Sequence, residues 1–337
     1  MKKLIYLVST TFLMLQACSS NSDNNGEQYI TNENLNVYAL GFADNSGVQW
    51  YKGVPTFFPD NSSVSSGIRI GSDIYLSGTI NGNAAYWKNG VPTTLSNPTG
   101  SSPSNGYKSG ASSIHVLNNN IYIVGSAFFG PNINKPVLWT NNNPTLISNN
   151  KGSASSVFKS GSNIYIAGYE DVPNTNNQQK AILWINGTPT TLTTNGFAES
   201  VFVSGSNVYV AYQDNINGAK GKIWKNGVST SLTIPNGYYN TGISQVFVSG
   251  SDVYVSGNAS KYNVSASNAP VFWKNNVPTI LSNSGNASSI FVSGSDVYVS
   301  GHENIVGNSI PKIWKNGFGY SLPIGSRASS QASFVFN

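Results

Sequence analysis

Cysteine is almost absent from this sequence of 337 residues; Cys18 stands alone. An intrachain disulfide is therefore excluded. Histidine is nearly as scarce, with only His115 and His302. A zinc site would then have to lean on carboxylates, so no metal is expected. No glycine-rich phosphate loop, nucleophile elbow or EF-hand spacing occurs, so no cofactor is expected either. Charge is sparse, at 9% of residues against about 25% in typical globular proteins. Long apolar runs are missing except near the start, where Leu4 to Leu15 is interrupted by Ser9, Thr10 and Thr11. That run falls short of the roughly 20 residues a membrane span needs.

The formal charge of +5 raises the question of nucleic acid, but its distribution answers it. Lys2 and Lys3 belong to the N-terminal segment, and without them the balance is +3. Five further lysines (Lys52, Lys88, Lys225, Lys274, Lys315) sit at or beside one recurring turn. Spread in that way they form no continuous basic stripe of the kind phosphate binding uses, and they read as solubilising charges. No nucleic-acid partner is expected.

What the sequence does contain begins with an address. Met1, Lys2 and Lys3 precede the short apolar run, the pattern of a secretory signal over residues 1–17. The run ends in Leu15-Gln16-Ala17-Cys18, which resembles the lipobox of bacterial lipoproteins, with Gln16 bulkier than the usual residue. The resemblance implies that the Cys18 sulfur receives diacylglycerol and that further acyl chains such as palmitate follow. Several chains anchor stably where one gives only marginal binding. The expected location is the cell envelope, lipid-anchored at the outer membrane, on either its periplasmic or its external side. Residues 18–34 are polar and read as the lipidated cysteine and a flexible tether. Such a chain of about 16 residues reaches roughly 20–24 Å.

The rest of the chain, 35–337, repeats. Tyr recurs at Tyr38, Tyr75, Tyr122, Tyr165, Tyr209, Tyr254 and Tyr298. Trp recurs at Trp50, Trp87, Trp139, Trp184, Trp224, Trp273 and Trp314, which are all the tryptophans present, on average 44 residues apart. Each copy reads as four strands, as in Ile290-Phe291-Val292, then Val297-Tyr298-Val299, then a third ending at Trp314, then a fourth. Gly-Ser between the first two strands suits a type II′ hairpin, and Asn-Gly between the last two suits type I′. Pro92, Pro189 and Pro278 follow the second turn, and proline tolerates an edge, so the fourth strand is the rim.

Four short antiparallel strands at this period describe the blades of a propeller. The expected fold is all-β, a seven-bladed β-propeller, with Tyr and Trp filling the wedges between blades. The first copy lacks strand one, and the chain ends in an orphan strand one, Ala328 to Phe336. That C-terminal strand is expected to complete the N-terminal blade and so remove the open edges.

The repeats and the W-K-N-G turns at Trp224, Lys225, Asn226, Gly227 and at Trp314, Lys315, Asn316, Gly317 resemble those of β-propeller lipoproteins of Gram-negative bacteria. More distantly the architecture is similar to kelch propellers. Kelch blades carry a double glycine after strand two. Here a single one occurs, at Gly78, Gly125, Gly168, Gly257 and Gly301, with Tyr212 replacing it once. The resemblance implies the architecture and no particular partner or activity.

The two kinds of hairpin share one face of the disc, and the connections of variable length emerge on the other. Binding residues concentrate on loops held by a rigid scaffold. The candidate ligand-binding residues on this face are Tyr107, Phe128, Phe129, Tyr169, Glu170, Asp171, Tyr212, Tyr238, Tyr239, Tyr262, His302 and Glu303, with Asp214 close to Tyr212. Aromatic platforms beside amides and acids suit a glycan, whose C–H faces stack while its hydroxyls pair. The expected function is a non-catalytic, membrane-anchored binding propeller for a glycan or polysaccharide. A protein-interaction scaffold of an envelope complex is the alternative. A carbohydrate-active enzyme ranks third, using paired acids such as Glu170, Asp171 or Glu303 about 5–10 Å apart. A monomer is expected. Asp73, Asp252 and Asp296 occupy the recurring turn and read as structural, and His115 stands where other copies carry Phe and reads as a packed strand residue.

Overall fold

Both hairpin types form as their residues dictate. In the computed structural model, Gly71, Gly161, Gly205, Gly250 and Gly294 hold φ between 52° and 61° at the first turn position, the region a type II′ hairpin requires. At the second hairpin both central residues have positive φ, as at Asn89 (51°) and Gly90 (81°), which defines type I′. The structure describes residues 37–336 apart from 44, 103–105, 107, 176–177, 262–267, 306–307 and 324–329. In the last strand it describes the backbone and the side chain of Phe336. The signal, Cys18, the tether, Tyr107 and Tyr262 lie outside the described residues.

The turn asparagine also stitches the two hairpins together. Asn89 Oδ1 accepts the Ile74 N–H at 2.8 Å, and its Nδ2 donates to Asp73 Oδ1 at 2.8 Å. Asn275 with Asp252 and Asn316 with Asp296 repeat the arrangement, and Asn141, Asn186 and Asn226 make it with an asparagine partner. Lys88, Lys274 and Lys315 add ion pairs to Asp73, Asp252 and Asp296 at 2.9, 2.8 and 2.7 Å. These lysines therefore do more than solubilise, although solvent screens such exposed pairs and leaves them a small share of the stability.

Seven antiparallel sheets of four strands result. In six of them the inner strand comes first in sequence: Ser62–Ile70, Ser109–Leu117, Gly152–Ser160, Gly196–Ser204, Asn240–Ser249 and Gly285–Ser293 open blades 2 to 7. Blade 1 is completed by the C-terminal strand Ser330–Phe336, which pairs antiparallel with Tyr38–Ala43. The hydrophobic core is divided among the blade interfaces. Tyr38 and Leu40 of blade 1 pack with Leu76 and Trp87 of blade 2, and Trp50 of blade 1 packs with Tyr298 and Ile313 of blade 7. Six tryptophans are fully buried in these wedges, whereas Trp224 is only partly covered. The Trp50 indole N–H donates to Pro323 O at 2.7 Å, and Trp139 and Trp273 reach Ser96 O and Thr233 O of the preceding blade in the same way.

Every inner strand carries a β-bulge at one level. The register shifts between Val64 and Ser66, Ala111 and Ser113, Ala154 and Ser156, Ala198 and Ser200, Ile243 and Gln245, and Ala287 and Ser289. The closing strand shifts at position 333. The glycine after strand two lies opposite: a Cβ on Gly78 would fall 1.9 Å from Ser63 O, and on Gly301 1.9 Å from Asn286 O. That close approach accounts for the single recurring glycine. Past the bulge, the N–H groups of Val157, Val201 and Val246 donate to Ser113, Ser156 and Ser200 Oγ of the blade before, at 3.3, 3.1 and 3.3 Å. The bulges thus link neighbouring blades around the centre.

Candidate functional site

The second strands run further toward the variable face than the sequence suggests, because their ladder with the third strands continues. Tyr169, Glu170 and Asp171 pair with Ala181, Lys180 and Gln179, and Tyr212 pairs with Lys222. Phe128 pairs with Asn134, and His302 and Glu303 pair with Pro311 and Ile310. These seven residues therefore stand on strands and not on loops. Tyr212 is buried in its blade, its hydroxyl donating to Ser229 Oγ at 2.9 Å. The loops proper present Phe129, Tyr238 and Tyr239. Phe129 and Tyr238 are half-buried, each under a lysine ammonium (Lys135 at 4.8 Å, Lys261 at 5.1 Å), and Tyr239 is 37% exposed. Together the candidates spread from blade 3 to blade 7.

The acids of this face are bonded to lysines. Glu170 sits 3.0 Å from Lys180 Nζ and accepts Asn150 Nδ2 at 2.9 Å. Burial pushes its carboxyl up, but hydrogen bonds from Ser148, Asn150 and Lys180 outweigh it and hold the group below its usual range. Asp171 pairs with Lys151 at 2.9 Å, Asp214 with Lys222 at 2.6 Å, and Glu303 with Lys312 at 3.1 Å. His302 and Glu303 are adjacent on one strand and so point to opposite faces. His302 Nδ1 is buried without a partner, and burial pushes its pKa down. The two do not form an acid–base pair. Tyr169 is half-buried, and burial pushes its phenol up.

A second candidate lies on the disc axis, where the inner strands enclose a cavity of about 420 Å³. Two layers line it. Three residues beyond the bulge, His115, Phe158, Phe202, Phe247 and Phe291 follow one another around the wall, with centroids 4.6, 5.1, 5.0 and 5.3 Å apart and rings tilted by 43° to 68°. Ile68 and Phe336 occupy the same level in the two remaining blades. His115 is thus packed against Phe158, and burial pushes its pKa down to about 4 against an opposing backbone hydrogen bond at Lys159.

The other layer is the bulge itself, formed by Ser65, Ser112, Ser155, Glu199, Ser244 and Ser288. Burial pushes the Glu199 carboxyl up to about 7. Among the described residues no hydrogen bond or ion pair reaches it. Its only signal in the sequence is a Glu where the other repeats carry Ser.

Neither the models of known protein families nor the curated proteins contain a match to this chain. Among solved structures it is similar to a puromycin-hydrolyzing peptidase of Mycobacterium tuberculosis, with 8% identity and a TM-score of 0.55 over 87% of this chain and 53% of that one. The chain thus spans about half the length of that peptidase. It is also similar to the β-propeller domain of the Trilobed protease from Pyrococcus furiosus, with 12% identity, a TM-score of 0.51, and 88% and 98% of the two chains covered. At such identities the likeness shows the fold, a seven-bladed β-propeller, and nothing finer.

Proposed function

We propose that this protein is an envelope-anchored binding propeller without catalytic chemistry, which takes a saccharide on its variable face. The observation that carries the reading is the division of labour there. Rings at loop level (Phe129, Tyr238, Tyr239) are partly open to solvent, whereas Glu170, Asp171, Asp214 and Glu303 each hold a lysine. Rings stack on the C–H faces of sugars, and fixed ion pairs offer hydrogen bonds without an unpaired acid to act as proton donor. Anchoring rests on the lipobox at Cys18.

A glycan array probed with the full chain tests this, followed by titration of any hit. Replacing Tyr238 and Tyr239 with Ala should lower affinity about tenfold or more, at roughly 1 kcal/mol for each stacking contact beyond area burial. Replacing Lys225 and Lys315 on the opposite face should leave affinity unchanged. Equal loss in both variants, or no glycan bound at millimolar concentration, overturns the reading. The second reading, a protein-interaction scaffold, draws on exposed apolar side chains where the outer strands begin (Val54, Val91, Val228, Val277 and Phe318).

A further inference from the structure

The bulge layer raises a question that the fold leaves open. Serine occupies this level in blades 2, 3, 4, 6 and 7, and the closing strand has Ser333 there, so the architecture needs no acid. Blade 5 nevertheless places Glu199 in the channel. Glu199 is half-buried in the channel wall, and an ionised carboxylate there, with no protein donor among the described residues and only part of its hydration, opposes folding. A ligand that supplies positive charge removes that opposition.

We propose that the central channel binds a small organic monocation, an ammonium group carried on an apolar or aromatic body. The ammonium donates to the Glu199 carboxylate and to the hydroxyl oxygens of Ser155 and Ser244 on the flanking blades. The body lies against Phe158, Phe202 and Phe247 one layer along, where ring faces also attract a cation. The cavity of about 420 Å³ falls within the range of roughly 300–1,000 Å³ common for small-molecule sites. A divalent metal fits poorly. Calcium gathers about six to eight oxygens, and among the described residues no three His, Cys, Asp or Glu cluster to hold an ion. A neutral sugar leaves the carboxylate uncompensated. This inference is independent of the saccharide reading, since it uses none of the loop aromatics.

The other ionisable groups around Glu199 leave it unpaired. Tyr169, on the neighbouring blade, interacts with it electrostatically but carries no positive charge. Glu170 and Asp214, on the adjoining second strands, hold Lys180 and Lys222. His115 lines the channel in its neutral form at neutral pH. Arg69 stands four residues past the bulge of blade 2, about 13 Å along the strand, and donates to Gly71 O.

Calorimetry of the detergent-solubilised full chain with 2-phenylethylammonium tests the proposal. Binding is expected at about pH 8 and should weaken at least roughly tenfold at about pH 5.5, where Glu199 is protonated and the ligand stays charged. Glu199→Gln and Glu199→Ser should each lose at least roughly tenfold at the higher pH. The serine variant matches the other blades and so keeps the fold, which its melting midpoint verifies. The neutral analogue 2-phenylethanol should bind far more weakly than the amine. No heat with the wild type at millimolar amine, equal affinity in both variants, a flat pH response, or equal binding of the alcohol each overturns the proposal.

Discussion

The ring of Phe336 lies against Gly67, where a Cβ would come within 2.7 Å of Phe336 Cε1. At the matching position of blades 3 to 7 the chain carries Ile114, Val157, Val201, Val246 and Ile290. The glycine of blade 2 thus leaves a space that the C-terminal residue of the closing strand fills. The same ring stacks on Tyr38 with centroids 5.2 Å apart. Blade 1 and blade 2 are locked by a side chain from the far end of the sequence.

That lock predicts the effect of opening it. Phe336→Ala should lower stability by about 3–5 kcal/mol, the range for a buried Phe truncation. Gly67→Val should destabilise by about 1–3 kcal/mol through overpacking against the ring. Deleting 328–337 removes a whole inner strand and should lower the melting midpoint further than either. Thermal unfolding followed by tryptophan fluorescence measures all three. An unchanged midpoint on deletion contradicts the closure.

The parts of this arrangement that were legible in the sequence are those written into local residues. Gly-Ser and Asn-Gly dictate their turns through φ alone, and an unpaired strand-one motif at the C-terminus implies closure. The bulge was not legible, because an extra residue shows only in the register between two strands. In sequence Glu199 stands only as a Glu where the other copies carry Ser, and the folded register is what turns it into the channel. The pairing of Glu170 with Lys180 and of Glu303 with Lys312 was hidden for a related reason. Those partners meet across a ladder whose length the variable stretch between strands obscures. The same extended ladder draws Tyr212 into its blade.

The anchor proposed at Cys18 has its own test. Cys18→Ala should move the protein from the membrane fraction to a soluble one, as judged by fractionation and immunoblotting. Retention of the variant in membranes through salt and carbonate washes contradicts lipidation.

His115 predicts a sensitivity to acid. Burial holds its pKa near 4 in the folded chain, against about 6.5 when unfolded. The unfolded state then binds more protons between those values, so stability is lost as pH falls from about 6.5 to 4. Over the full window the loss amounts to roughly 3 kcal/mol. His115→Phe restores the residue found at this level in five blades and should abolish the effect. The measurement is the difference in melting midpoint between wild type and variant at each pH. A difference that does not change between about pH 7 and 4 contradicts the buried neutral imidazole.

Glu199 predicts the opposite slope. Its carboxyl titrates near 7 in the folded chain, against about 4.3 when unfolded. Here the folded state binds more protons in the interval, so stability falls as pH rises from about 4.5 to 7 and is level above that. Because this interval overlaps that of His115, the two trends partly cancel in the wild type, and only the variants separate them. Glu199→Ser should raise the melting midpoint at about pH 8, with a gain of up to roughly 3 kcal/mol that vanishes near pH 4. A serine variant no more stable than wild type at the higher pH would mean that water or a partner compensates the carboxylate, and would contradict the upward shift that burial gives it. The double variant with His115→Phe should lose both slopes, and any slope left in it belongs to groups outside the channel.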